Sequence, residues 1–113
     1  MTNPFKLGEI YLVRFDPSVG KEYKKIRPGL IVQNENITSN YITVVPISSK
    51  IEHCKMPDIL IERNGKNRLE FDSRIIVQQI SSFDHSRFIK KIGAVSSPVL
   101  RQVRGYLRRH FLL

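Results

Sequence analysis

Tryptophan is absent from this chain, cysteine occurs once, and acidic residues number only ten in 113. Each scarcity excludes something. A lone Cys54 rules out an internal disulfide and favours a reducing compartment such as the cytoplasm. With three scattered histidines (His53, His85, His110), that thiol matches no metal-ligand spacing, so no metal or other cofactor is expected. No apolar run approaches the roughly 18 residues of a membrane span. Met1-Thr2-Asn3-Pro4 lacks a basic stretch leading into an apolar one, so no secretory signal is expected. Six glycines and six prolines are too few for a low-complexity tract, and no repeat or linker divides the chain. A single domain over residues 1–113 is expected.

What is present in excess is positive charge. Nineteen Lys and Arg leave a net charge of +9 and a pI near 10.1. A small protein this basic meets a polyanion, and nucleic acid or an acidic protein is favoured over a membrane surface. The bland alternative is a solvated surface that happens to be basic.

Most of the chain reads as strands. Glu9 to Phe15 is apolar at nearly every position, which predicts a strand buried on both faces. Leu30 to Val32, Tyr41 to Ile47 and Asp58 to Glu62 follow as β-rich runs, with Asn-Gly turn chemistry at Asn64-Gly65. Ser73 to Ile80 reads as one strand ending in Gln78-Gln79, and Phe88 to Val95 as the last, after a short turn begun by Asp84. The C-terminal segment changes period. Ser97 is the predicted cap, Pro98 the first helical residue, and Val99, Leu100, Val103, Tyr106, Leu107, His110 and Phe111 recur at helical spacing. On this reading His110 packs, and Arg101, Arg104 and Arg108 face solvent. Short antiparallel strands with one closing helix describe a mainly β fold, a small partly open barrel.

The chemistry concentrates in two places. Lys21, Glu22, Lys24, Lys25 and Arg27 crowd a loop opened by Gly20, and Pro28 holds Arg27 in extended backbone. Such a cluster is a solvated loop unless an anion visits, and the Arg fork grips phosphate with paired hydrogen bonds. Ser48 and Ser49 close the Tyr41–Ile47 run after Pro46. They are either plain turn residues or hydroxyls able to donate to a phosphate oxygen as charge grows on it. Glu22 either offsets the lysines or accepts a proton. Gln78 and Gln79 are strand-end residues or an amide pair suited to reading bases.

Taken in order, these residues form a pattern. Gly8-Glu9-Ile10-Tyr11, Asp16-Pro17-Ser18-Val19-Gly20-Lys21-Glu22, Arg27-Pro28-Gly29-Leu30-Ile31-Val32 and Val45-Pro46-Ile47-Ser48-Ser49 strongly resemble the MazF/PemK family of toxins. The likeness continues through Asp72-Ser73-Arg74-Ile75-Ile76, Gln79-Ile80 and Asp84-His85-Ser86-Arg87-Phe88 into the last helix. It implies the SH3-like, partly open barrel of the CcdB/MazF/PemK-like toxins, acting as a homodimer. It implies a metal-independent endoribonuclease of a type II toxin–antitoxin pair, neutralised by an antitoxin whose acidic segment occupies the basic groove. By motif position Arg27 matches the catalytic arginine, Ser48 the hydroxyl residue after Pro-Ile and Glu22 the loop glutamate. Lys21, Lys24, Lys25, Ser49, Gln78 and Gln79 are the residues expected to hold single-stranded RNA. The family's chemistry uses the ribose 2′-hydroxyl as nucleophile and leaves a 2′,3′-cyclic phosphate and a 5′-hydroxyl. Two departures stand out. Position 48 is commonly threonine, and the Arg-Thr that often follows Gln79-Ile80 is Ser81-Ser82 here. Two other classes compete: a toxin of this fold that binds a protein such as gyrase without chemistry, and a silent nucleic-acid-binding regulator.

Overall fold

Runs of β-branched residues between polar turns become strands in the computed structural model, which describes residues 4–15 and 26–113. They are β1 (Glu9–Arg14), β2 (Ile26–Ile31), β3 (Tyr41–Ser48), β4 (Ile59–Ile61), β5 (Ser73–Ile75), β6 (Ser81–Asp84) and β7 (Phe88–Ala94), followed by helix α1 (Ser97–Phe111). The pairings are antiparallel, in the order β4-β5-β3-β2-β1-β7, with β6 also on β3. β3 is the branch point: Val44 pairs with Ile31 of β2 on one edge and Ser81 of β6 on the other. β5 takes the Ile47–Ser48 end, and the sheet stays open between β4 and β7. The mainly β, open architecture with a closing helix agrees with the sequence reading.

The sheet carries a core on each face. Successive strand residues point to opposite sides, so Leu30 joins Ile10, Val45, Ile47 and Ile75, while Ile31 joins Phe5, Val13, Ile42 and Val44. This explains why β1 is apolar almost throughout. At its edge Lys91 Nζ lies 2.9 Å from Glu9 Oε2. The hydrogen bond and charge of Glu9 raise the Lys91 pKa. That contribution is present below the ordinary lysine value and is lost as pH rises through the raised one.

α1 covers the first core through Val103, which is fully buried, with Val99, Leu100, Tyr106 and Leu107 around it. Its cap is Ser96 rather than Ser97: the Ser96 hydroxyl accepts from the Val99 N–H at 3.4 Å. Ser97 is already helical, and Pro98 stays within the first turn, where a missing N–H leaves no bond unmade. His110 is exposed instead of packed, because the buried stripe stops at Leu107. Its ring stacks on Tyr106 with centroids 5.5 Å apart.

The Ser73–Ile80 run is not one strand. β5 ends at Ile75, Val77–Gln79 form a 3₁₀ turn, and β6 begins at Ser81. The break falls where the edge of β3 presents Pro46, which has no N–H for a ladder. Ile76 N–H instead donates to the Pro46 carbonyl at 3.0 Å, and Val77 is fully buried. β2 also starts earlier than expected, so Arg27 and Pro28 lie in the strand and not in the preceding loop.

Residues 62–72 fold across β7. A Cβ on Gly93 would lie 2.5 Å from the Lys66 carbonyl oxygen and 2.6 Å from that of Asn67. Ala94 N–H donates to the same Lys66 oxygen at 3.1 Å, so the backbone is pinned there. Gly93→Ala is therefore expected to destabilise the fold by about 1–3 kcal/mol. Urea unfolding should show a lower midpoint with an unchanged slope.

Candidate active-site cleft

The ladder between β2 and β3 runs through Gly29↔Pro46, Leu30↔Val45 and Ile31↔Val44. Continued by two residues, that register sets Arg27 opposite Ser48. Pro28 and Pro46 contribute no N–H, so the two strand ends are free to part. The gap they leave belongs to a cleft of about 560 Å³ that both Arg27 and Ser48 line. Its floor is apolar, with Leu12, Pro28, Ile47 and Ile92, and its rim carries Arg27, Lys50, Arg68 and Lys90 beside one carboxylate, Glu70. Arg27 also borders a second cavity of about 420 Å³ with Phe15, Pro46, Gln79 and Ser81. It thus stands in the wall between the two.

Arg27 is half-buried, its backbone pairs with Val13 of β1, and among the described residues its side chain has no ion pair or hydrogen bond. Its guanidinium beside Lys50, Arg68 and Lys90 concentrates positive potential at the cleft mouth. Ser48 is held differently. Its Oγ accepts the Lys50 N–H at 3.1 Å, so its own hydrogen remains available to donate. Ser49 lines the same cleft. Both glutamines on the 3₁₀ turn are exposed, but only Gln79 lines a cavity, the second one, while Gln78 lines neither. Glu22, Lys21, Lys24 and Lys25 lie outside the described residues. Among the described residues, no group of three or more His, Cys, Asp or Glu is placed to hold a metal ion.

Several lining residues escaped the sequence reading. Arg68 and Glu70 reach the cleft on the 62–72 segment, which Asn67 organises from a buried position. Its Oδ1 accepts from Asn64 N at 3.0 Å and Leu69 N at 3.1 Å, and its Nδ2 donates to the Glu62 carbonyl at 2.9 Å. Asn64 Oδ1 in turn accepts from Lys66 N and Asn67 N. Two asparagines three apart were the available signal, hidden by the Asn-Gly pair. Ser82, one of the two departures, bonds Thr43 across strands with hydroxyl oxygens 2.8 Å apart. Phe15 and Ser81 are joined to Arg27 only by the sheet.

A half-open antiparallel sheet whose basic, apolar-floored cleft is lined by an arginine and a hydroxyl side by side defines a small protein built to meet a polyanion. Its family is shown directly: the chain belongs to the PemK-like, MazF-like toxins of type II toxin–antitoxin systems, whose family model matches residues 6–111. It is 32% identical over 100 residues to the endoribonuclease MazF of Staphylococcus saprophyticus, covering 87% of this chain and 83% of that one. The fold is similar to that of MazF from Deinococcus radiodurans, with a TM-score of 0.78 at 20% identity over 96% of this chain and 97% of the other. It is also similar to a mycobacterial endoribonuclease solved in complex with its cognate antitoxin, with a TM-score of 0.70 at 14% identity over 98% and 96% of the two chains.

Proposed function

We propose that residues 1–113 act as one toxin domain, a cytoplasmic homodimeric endoribonuclease that cleaves single-stranded RNA such as mRNA at particular sequences. The observation that carries this reading is Arg27 on β2, whose side chain has no partner among the described residues, lining one cleft with the Ser48 hydroxyl in a chain of this family. The substrate's own 2′-hydroxyl attacks the adjacent phosphorus, and the 5′-oxygen of the next nucleotide leaves. The products are a 2′,3′-cyclic phosphate and a 5′-hydroxyl. The protein's work is positioning and charge stabilisation. A guanidinium is a donor-only group, so the role of Arg27 is to stabilise the dianionic phosphorane and not to remove a proton. Ser48 donates to a non-bridging oxygen, and Glu22 is assigned as general base. Lys21, Lys24 and Lys25 neutralise the flanking backbone, while Ser49, Gln78 and Gln79 contact the RNA.

An acidic segment of the cognate antitoxin blocks this cleft by charge complementarity, which speeds association and makes it salt-sensitive. Exposed Phe111, Leu112 and Leu113 at the end of α1 support the homodimer.

The reading is tested by incubating purified protein with a long single-stranded RNA, with and without EDTA, and mapping 5′ ends. Discrete 5′-hydroxyl ends are expected at equal rates in both arms. Cleavage that vanishes in EDTA and returns with magnesium would overturn the metal-free mechanism. RNA left intact in every arm would return the chain to the non-enzymatic readings.

A further inference from the structure

We infer that Arg74, clamped by Asp58, is a positioning residue that orients the Ser48 hydroxyl for cleavage; this rests on the endoribonuclease reading above. Arg74 is the cross-strand partner of Ser48 in the β3–β5 ladder. Where the β2–β3 register is continued past Gly29↔Pro46, Arg27 falls opposite Ser48 as well, which places the hydroxyl residue between two arginines. The second arginine is turned away from the cleft. Its Nη1 lies 2.6 Å from Asp58 Oδ2 and 3.4 Å from the His53 carbonyl oxygen. The two side chains are only 16% and 6% exposed, and Arg74 Nε is buried with no partner.

Those bonds span the excursion that leaves β3 after Ser48 and returns at β4. One nitrogen thus fastens the 3₁₀ turn at Ile51–His53 and the residue before β4 to the strand beside Ser48. Asp58 tightens the return, since its N–H donates to the Lys55 carbonyl at 2.8 Å. The excursion begins at Ser49 and Lys50, and the Lys50 N–H is the donor that occupies the Ser48 Oγ lone pair. Holding Lys50 in place closes one of the directions that the Ser48 O–H could otherwise take and so narrows where it can donate. A hydroxyl free to rotate would spend part of its time pointing elsewhere, and that loss appears in the chemical step rather than in RNA binding.

The experiment measures single-turnover cleavage, at varied protein concentration, of an RNA that the wild-type protein cuts. The variants are Arg74→Met, Arg74→Lys, Asp58→Leu/Arg74→Met, Ser48→Ala and Ser48→Ala/Arg74→Met, each checked by circular dichroism. Arg74→Met should lower the saturating rate by up to about 10²-fold with the half-saturating concentration unchanged. Arg74→Lys should restore most of the rate, because a single ammonium can reach both acceptors that one Nη1 now serves. Asp58→Leu/Arg74→Met removes both buried charges together, so it separates the loss of the clamp from the destabilisation that an unpaired Asp58 adds, and it should be as slow as Arg74→Met. In the Ser48→Ala background, Arg74→Met should cost little more, since no hydroxyl is left to orient. A folded Asp58→Leu/Arg74→Met protein cutting at the wild-type rate would overturn the inference. So would losses for Ser48→Ala and Arg74→Met that simply multiply, or a loss confined to the half-saturating concentration. A wild-type protein that leaves every RNA intact would instead sink the endoribonuclease reading itself.

Discussion

Arg27→Ala is expected to lower the rate of RNA cleavage by on the order of 10²–10³, by analogy with removing one donor from an oxyanion hole. The fold should survive. Arg27 is half-buried at the mouth of the cleft and, among the described residues, its side chain bonds to nothing, so truncation strands no described partner. Affinity for RNA should fall only modestly, because Lys50, Arg68 and Lys90 still line the same rim and neutralise phosphates. Ser48→Ala should cost less than Arg27→Ala, since a neutral hydroxyl makes a weaker bond to the phosphorane than a charged guanidinium. The check is single-turnover cleavage of a short RNA by both variants, with circular dichroism as the folding control. A folded Arg27→Ala protein that cuts at the wild-type rate would remove the arginine from the mechanism.

Leu30→Ala should do the reverse, destabilising the fold by about 2–5 kcal/mol while leaving the chemistry of the folded fraction alone. Leu30 is fully buried near the end of β2, paired with Ile10 on one side and Val45 on the other, both also fully buried. The strands around it are hydrogen-bonded on both edges, so the site cannot collapse to fill the space the side chain leaves. Thermal unfolding of the variant should begin well below that of the wild type. Its cleavage rate per folded molecule, measured at low temperature, should match. A loss of rate without a loss of stability would mean that the sheet centre and the cleft are more tightly coupled than the geometry indicates.

The cleft was legible from sequence to the extent that its residues announce themselves locally. Arg27 precedes a proline, and Ser48 follows Pro46-Ile47 at the end of a β-rich run. Each can be picked out from its neighbours alone. Arg68, Lys90, Phe15 and Ser81 cannot, because nothing near them in the chain distinguishes them from other surface cations, aromatics or hydroxyls. Arg74 and Asp58 are 16 apart and read as ordinary charged strand residues until β4 and β5 are laid side by side.

The chain by itself determined the local order. Apolar runs made β1, β2 and β3 and helical spacing made α1, since each depends on residues within a few positions of one another, while the charge composition favoured an anionic partner. Tertiary structure alone decided where the strands break and what they bring together. Pro46 interrupts the Ser73–Ile80 run only because that run pairs with β3, and Ser96 displaces Ser97 as the cap only because of where the helix starts on the sheet. The opposition of Arg27 to Ser48, and of Ser48 to Arg74, is a matter of register. Register is fixed by the packing of two cores on the two faces of the sheet, where a slip of one residue would exchange every side chain between them.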